Sequence, residues 1–385
     1  MTTEVSTRVQ DLIDRATSQT GLSDFGGDSW RQGLERLVSS ALSEARFNAW
    51  GEESFYGGIV RTLANRLQIE ACFAKHPEIN DESVQVELIG VGFPRTGSTA
   101  LAAMLGEDPS YRFLRVWEAG EPCPPPGVSS EADSARIKAA EEMIVLQQQS
   151  LPRFSAMLPQ SATGPMECHQ LMELEFTSQM QLAFARLPSY AEWFLQCDME
   201  PTYAYQKRVM QLLQWRCPPS RWQLKCPTHT LFLDAIEKVF PEARFVMTHR
   251  EVGKVLPSVA DLYGTLLAVG SSEFDPYEVG QLNLEQWGVA LDRMLAFRTD
   301  EKDAKFFDIG FEAFQADPLG EISRLYDWLG RDLVPETRER MSAWRTANPR
   351  DKHGTHRYDG EDFGLTEAVL DERFRAYRQR FGALL

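Results

Sequence analysis

Apolar residues recur three or four positions apart through the first eighty residues: Val9, Leu12 and Ile13; Leu34, Leu37, Val38 and Leu42; Ile59, Leu63, Leu67 and Ile69. That spacing places one apolar stripe on each of several helices in an all-α N-terminal region, residues 1–80. The period then changes. VQVELIGV, residues 84–91, is a near-continuous apolar run of the kind a strand buried on both faces requires. It ends in the glycine-bounded GFPRTGST and opens into a small-residue helix, TALAAMLG. Tyr111 to Trp117 is aromatic and β-branched and reads as a second strand ending at Glu118, with prolines at 122–126 stopping any regular structure. Residues 131–216 return to helical spacing, with Phe176, Tyr190, Trp193, Phe194, Tyr203 and Tyr205 crowding an inserted helical segment. Its aromatics read first as core and second as the wall of an apolar acceptor pocket.

Strand patterns resume at Trp222–Leu224, which ends in Lys225, at Ala243–Thr248, which ends in His249 and Arg250, and at 305–309. A helix follows from Pro318 and closes at Gly330, and the chain finishes in DERFRAYRQRF, another helix pattern. Strands alternating with helices predict an α/β, three-layer, P-loop-like fold with a central parallel sheet over residues 84–385.

Composition narrows the chemistry. At 385 residues and 43% hydrophobic the chain can bury a large core. A formal net charge of −16 repels polyanions, so nucleic acid is not an expected partner, although a local basic pocket is allowed. The polar start MTTEVSTRVQDLIDRA lacks the basic and apolar parts of a signal peptide, and no stretch reads as a membrane span; both point to a cytoplasmic protein. Six cysteines at 72, 123, 168, 197, 217 and 226 show no C-x-x-C spacing and read as free thiols, with no metal site expected. Oligomeric state is not encoded in any of these patterns; a homodimer is compatible with them.

The loop is the most informative stretch. Gly92 and Gly97 bracket four residues as in the nucleotide loop G-x-x-x-x-G-K-[ST], but Ser98 holds the lysine position and Thr99 follows. The cation sits inside the loop as Arg95, between Pro94 and Thr96. Successive backbone N–H groups and a helix N-terminus suit a phosphate or a sulfate equally, and the loop alone also fits an ordinary β–α turn. Lys225 and Arg250 end strands at the same sheet edge. Pro257 is pre-set for a first helical turn, which would put Ser258 at an anion-binding helix start. Lys352, His353, His356 and Arg357 surround Gly354 in the most basic short stretch of the chain, a candidate cover for a ligand. Glu118, from spacing alone, reads as a surface carboxylate; Glu167 and His169 read as polar groups at a helix start.

In order and spacing, GFPRTGST, LKCPTH and RFVMTHREVGKVLPSV resemble the 5′-phosphosulfate loop, catalytic-lysine strand and 3′-phosphate segment of sulfotransferases that use 3′-phosphoadenosine-5′-phosphosulfate (PAPS). The arginine in the first loop is similar to the tyrosylprotein and bacterial branches. The resemblance implies sulfonate transfer from PAPS to a small-molecule or lipid-like hydroxyl acceptor without a metal. It gives Arg95 to the transferring sulfonate, Lys225 to the bridging oxygen, Arg250 and Ser258 to the 3′-phosphate, and residues 350–385, a loop containing DKHGTHRY and a helix, to the nucleotide cover. Glu118 takes the base position of those branches. His229 competes, because the phenol branch places a histidine shortly after its lysine; here Pro227 occupies that nearer position. His169 is a third candidate. A divergent small-molecule kinase on the same fold and an inert nucleotide-binding module are the rival readings.

Overall fold

The computed structural model describes residues 3–158, 160–218, 220–349 and 360–385. Three helices open the chain: α1 (Thr3–Thr20), α2 (Ser29–Glu44) and α3 (Ala49–Lys75). Each buries the stripe its spacing prescribes, including Leu12 and Ile13, Leu34 and Leu37, and Leu63 and Leu67. Asn48 caps α3 by accepting the Gly51 N–H at 2.8 Å. These stripes merge into one hydrophobic core with the sheet. Arg66 of α3 is fully buried there: its guanidinium donates to the Phe25 carbonyl at 2.7 Å and the Leu174 carbonyl at 3.0 Å, and pairs with Glu175 at 2.6 Å. With every partner in place, this buried charge fastens the N-terminal helices to the inserted segment.

The sheet has five parallel strands, β1 (Val86–Val91), β2 (Tyr111–Arg112), β3 (Arg221–Lys225), β4 (Arg244–His249) and β5 (Phe306–Gly310), in the order β2-β3-β1-β4-β5. Gly90 of β1 pairs with Lys225 on one side and Val246 on the other, so the three central strands end at one edge. Helices cover both faces, which is why the central strands read as apolar runs rather than alternating ones. The insertion folds as helices Ser130–Ser150, Pro152–Met157, His169–Glu173, Gln181–Phe184, Pro188–Gln196 and Glu200–Gln214.

Four expectations are corrected. The second strand is only Tyr111–Arg112; residues Val116–Gly120 form a short helix instead. A capping interaction explains the change, because the Glu118 carboxylate accepts the Arg115 N–H at 3.2 Å and starts the helix. Pro257 lies inside the helix Val252–Gly270 rather than in its first turn; Glu251 caps that helix. The same helix is long and apolar enough to cross a membrane, contrary to the sequence reading, but 72% of that window is buried inside the protein. The C-terminal pattern is two helices, Glu367–Arg373 and Arg375–Phe381, broken at Phe374.

Glu118 is wholly buried, and its Oε1 accepts from Arg112 at 3.0 Å and Arg115 at 3.1 Å. Removing that charge strands the buried Arg112 guanidinium. Glu118→Gln is therefore expected to cost roughly 3–5 kcal/mol of stability, the range for breaking a buried ion pair, read by urea unfolding, while the folded variant keeps its activity.

Candidate active site

β1 delivers the chain into residues 92–97 with two backbone conformations that favour glycine: Gly92 at φ 103° and Gly97 at φ 85°. A Cβ at Gly92 would come within 3.1 Å of the Thr248 carbonyl, so β4 itself enforces glycine there. The Gly92 N–H donates to the Thr230 hydroxyl at 2.8 Å. Thr96 turns inward, its hydroxyl 2.8 Å from the Phe93 carbonyl and 2.5 Å from the Thr248 hydroxyl. It ties the loop to β4 rather than offering its side chain to a ligand. Arg95, between them, is held at φ 65°, a conformation rare outside glycine and costing about 1–3 kcal/mol. The strain aims its guanidinium across the loop mouth, where Nε donates to Ser258 Oγ at 3.2 Å and Nη1 to the Met157 carbonyl at 2.5 Å. Arg250 donates to the Arg95 carbonyl at 2.9 Å and lies over the Phe311 ring. Behind the loop, helix Ser98–Leu105 starts at Gly97, and helix Val252–Gly270 starts just past Arg250. The N-terminus of helix Ser98–Leu105, Ser258 from the second turn of helix Val252–Gly270 and two guanidiniums thus border one space, an arrangement suited to oxyanions.

Lys225 reaches the same point from β3. Its stem crosses β1 at Gly90, where a Cβ would sit 2.9 Å from Lys225 Cγ. The ammonium donates to Thr99 Oγ1 at 3.2 Å and forms an ion pair with Glu167. The other Glu167 oxygen lies 3.2 Å from His169 Nε2. Burial opposes charge on Glu167, but Lys225 and then His169 outweigh it and hold the carboxyl well below the usual carboxylate range. Burial likewise opposes charge on His169, and the Cys226 sulfur and Glu167 together push it up to about 10. Glu167, His169 and Cys226 each offer a ligand atom within 4.8 Å of the others. The Lys225 ammonium on the same carboxylate repels a further cation, which disfavours a metal there.

One cavity of about 1250 Å³ joins these groups; Pro94, Arg95, Ser98, Thr99, Arg250 and Ser258 line it together with Glu167 and His169. Lys225 meets it through Thr99 and Glu167. Two expected base residues are not on its wall. Glu118 is locked in its arginine pairs, and His229 is buried with Nδ1 3.0 Å from the Tyr203 hydroxyl. Burial, then the charge on His169, brings His229 down to about 3, so it is neutral near pH 7. Lys352, His353, Gly354, His356 and Arg357 lie outside the described residues. From the sequence Glu167 reads as a helix-start group; the structure instead sets ECH beside LKCPTH through the Cys168 N–H bond to the Lys225 carbonyl at 3.3 Å.

Residues 88–336 match the model of the sulfotransferase family. A sulfotransferase of known structure from Mycobacterium avium, STF9, is 31% identical and superposes with a TM-score of 0.89 over 97% of this chain and 96% of its own. STF1 from Mycobacterium tuberculosis H37Rv is 29% identical with a TM-score of 0.85, covering 95% and 98%. The omega-hydroxy-beta-dihydromenaquinone-9 sulfotransferase Stf3 of Mycobacterium bovis is 29% identical over 165 residues, 41% of this chain and 40% of that protein's length.

The raised His169 gives a signed pH dependence. Its stabilising contribution is complete below the unfolded imidazole value of ~6.5 and is lost as pH rises through about 10. Melting temperature is therefore expected to fall between those limits, and His169→Gln should flatten that alkaline limb in a thermal-shift series.

Proposed function

The chain belongs to the sulfotransferase family, and on that premise we propose that it transfers a sulfonate from PAPS to the hydroxyl of an apolar, lipid-like acceptor, with Glu167 rather than Glu118 as the base. The observation that carries this reading is the Lys225 ammonium held between Thr99 of the anion loop and Glu167 of the insertion. It puts a cation and a carboxylate at one point, next to the loop and open to the large cavity.

The residues fit a phosphosulfate nucleotide. The glycine-shaped loop from Gly92 to Gly97 presents backbone N–H groups, with Arg95 for the sulfonate end and Arg250 with Ser258 for the 3′-phosphate. PAPS, when bound, supplies the activated sulfonate and a phosphate leaving group. Arg95 and Lys225 provide fixed positive charge where negative charge develops, which needs no metal because charge stabilisation and positioning suffice. Glu167 accepts the acceptor's hydroxyl proton, and His169 holds that carboxylate in place from its far side. Met180, Val259, Leu262, Tyr263 and Trp287 give the cavity an apolar wall for the acceptor body. A second cavity of about 280 Å³ starts beyond the same segment, at Gln170 and Gln181, which supports a long acceptor. The acceptor named for the curated relative, a hydroxylated dihydromenaquinone, supports the same class.

Adenosine 3′,5′-bisphosphate is expected to raise the melting temperature far more than ATP, because binding to the folded state stabilises it by mass action. A larger shift with ATP and Mg²⁺ would favour a kinase. Binding without turnover on any long-chain alcohol or phenol, assayed with labelled PAPS, would favour an inert module.

The roles separate kinetically. Glu167→Gln should lower turnover by the ~10²–10⁴-fold typical of a lost general base with donor affinity unchanged. Lys225→Ala should also act on turnover, since its contact strengthens only as charge grows on the bridging oxygen. Arg250→Ala should instead weaken donor binding. Near-normal turnover in Glu167→Gln at saturating substrates would remove it from the base role.

A further inference from the structure

Two of the six cysteines stand in direct contact across a structural seam. Cys72 lies in the last turn of α3, and Cys123 follows the short helix Val116–Gly120; their Sγ atoms are 3.4 Å apart. Both are free thiols, Cys72 half-buried and Cys123 buried. The seam is held in register beside them, because Asn65 of α3 donates to the Gly120 carbonyl at 3.0 Å. Both sides of it also wall the second cavity, through Asn65 on one and Ala119 and Gly120 on the other.

We propose that Cys72 and Cys123 form a thiol–disulfide exchange site that takes a low-molecular-weight disulfide as co-reactant and closes into an internal disulfide. Cys72 is the attacking sulfur and Cys123 the resolving one. The Cys72 thiolate attacks one sulfur of the small disulfide, breaking its S–S bond and releasing one small thiolate. The Cys123 thiolate then attacks Cys72 Sγ, which breaks the mixed disulfide and releases the second small thiolate. Two protein thiols are oxidised, one small disulfide is reduced, and the two protein protons leave on the two released thiols.

The assignment of roles follows from environment. Once Cys72 ionises, the Cys123 S–H donates to it; that hydrogen bond first, and Lys75 after it, overcome burial and bring Cys72 down to about 7. The hydrogen bond to Cys72 and then burial push Cys123 up. The other half-buried cysteines are unlike Cys72: burial pushes Cys197 up to about 12 and raises Cys217, and each donates its S–H to a backbone carbonyl, Phe194 and Leu213 respectively. Cys168 and Cys226 are fully buried. A small disulfide in water therefore meets one activated, accessible thiol, with a second thiol already in contact behind it.

The test uses the full chain incubated with glutathione disulfide, alkylated, and examined by intact mass and peptide mapping. The expected product lacks two hydrogens, carries no glutathione, links the Cys72 and Cys123 peptides, and returns to the dithiol form with dithiothreitol. Cys123→Ser should instead trap one glutathione on Cys72, and Cys72→Ser should give no adduct at Cys123. Oxidised wild-type protein should melt a few degrees higher than reduced protein, since a cross-link spanning this stretch constrains the unfolded chain. A stable glutathione adduct on wild-type Cys72, a cross-link between other cysteines, or no reaction would each overturn the proposal. The first readout needs no variant, so it stands even where a substitution fails to fold.

Discussion

Arg95, Lys225 and Arg250 depend on one constraint: β3, β1 and β4 are adjacent, parallel and in register, so their carboxyl ends open at one edge. β1 delivers the anion loop, β3 delivers Lys225 and β4 delivers His249 and Arg250. Two glycines make the convergence tight. Gly90 leaves room for the lysine stem to cross β1, and Gly92 leaves room for the loop to pass the Thr248 carbonyl. Ligand sites in open parallel sheets form at this edge for the same reason, because only there do several strands present loops and helix N-termini to a common space.

Holding like charges together at such an edge requires neighbours that do not yield. On the β4 side, His249 is buried between Asp308, 2.8 Å from Nε2, and the Tyr377 hydroxyl, 3.0 Å from Nδ1, while Arg298 grips both Asp308 oxygens. That network fixes the turn from which Arg250 emerges. On the β3 side, His169 Nδ1 is 3.4 Å from the Thr228 hydroxyl, which donates to Gln179 at 2.9 Å. Glu167 thus sits at the end of a buried polar chain. Such chains are costly when incomplete and rigid when complete, so this one serves position as much as charge.

The sheet, the loop and the cationic strand ends were legible in the sequence because each rests on a local signal: an apolar run, a bracketing glycine pair, a basic residue where a strand stops. The carboxylates were not. Glu118 follows an aromatic, β-branched run that reads as strand, yet its own side chain caps a helix and pairs with Arg112 and Arg115, a tertiary arrangement that no periodicity reports. Glu167 precedes a five-residue helix in an insertion, and long-range backbone contacts, Cys168 with Lys225 and Met166 with Leu114, bring it to the lysine. Ser258 reached the site although Pro257 misled about where its helix begins, since the turn it occupies still faces Arg95.

The placement of Lys225 couples the two halves of the proposed reaction. A carboxylate held far below its usual range by an ammonium is a weak base, and an ammonium committed to a carboxylate is a weak electrophile. Each becomes stronger when the other lets go. If, as proposed, Lys225 turns toward charge growing on the loop side, Glu167 would lose its main stabilising neighbour, and its proton affinity would rise just when the acceptor hydroxyl begins to shed its proton. His169 stays behind, so the carboxylate keeps its position while its basicity changes. In the proposed reaction one side chain, reaching across a glycine from the neighbouring strand, would thereby time proton removal to bond breaking.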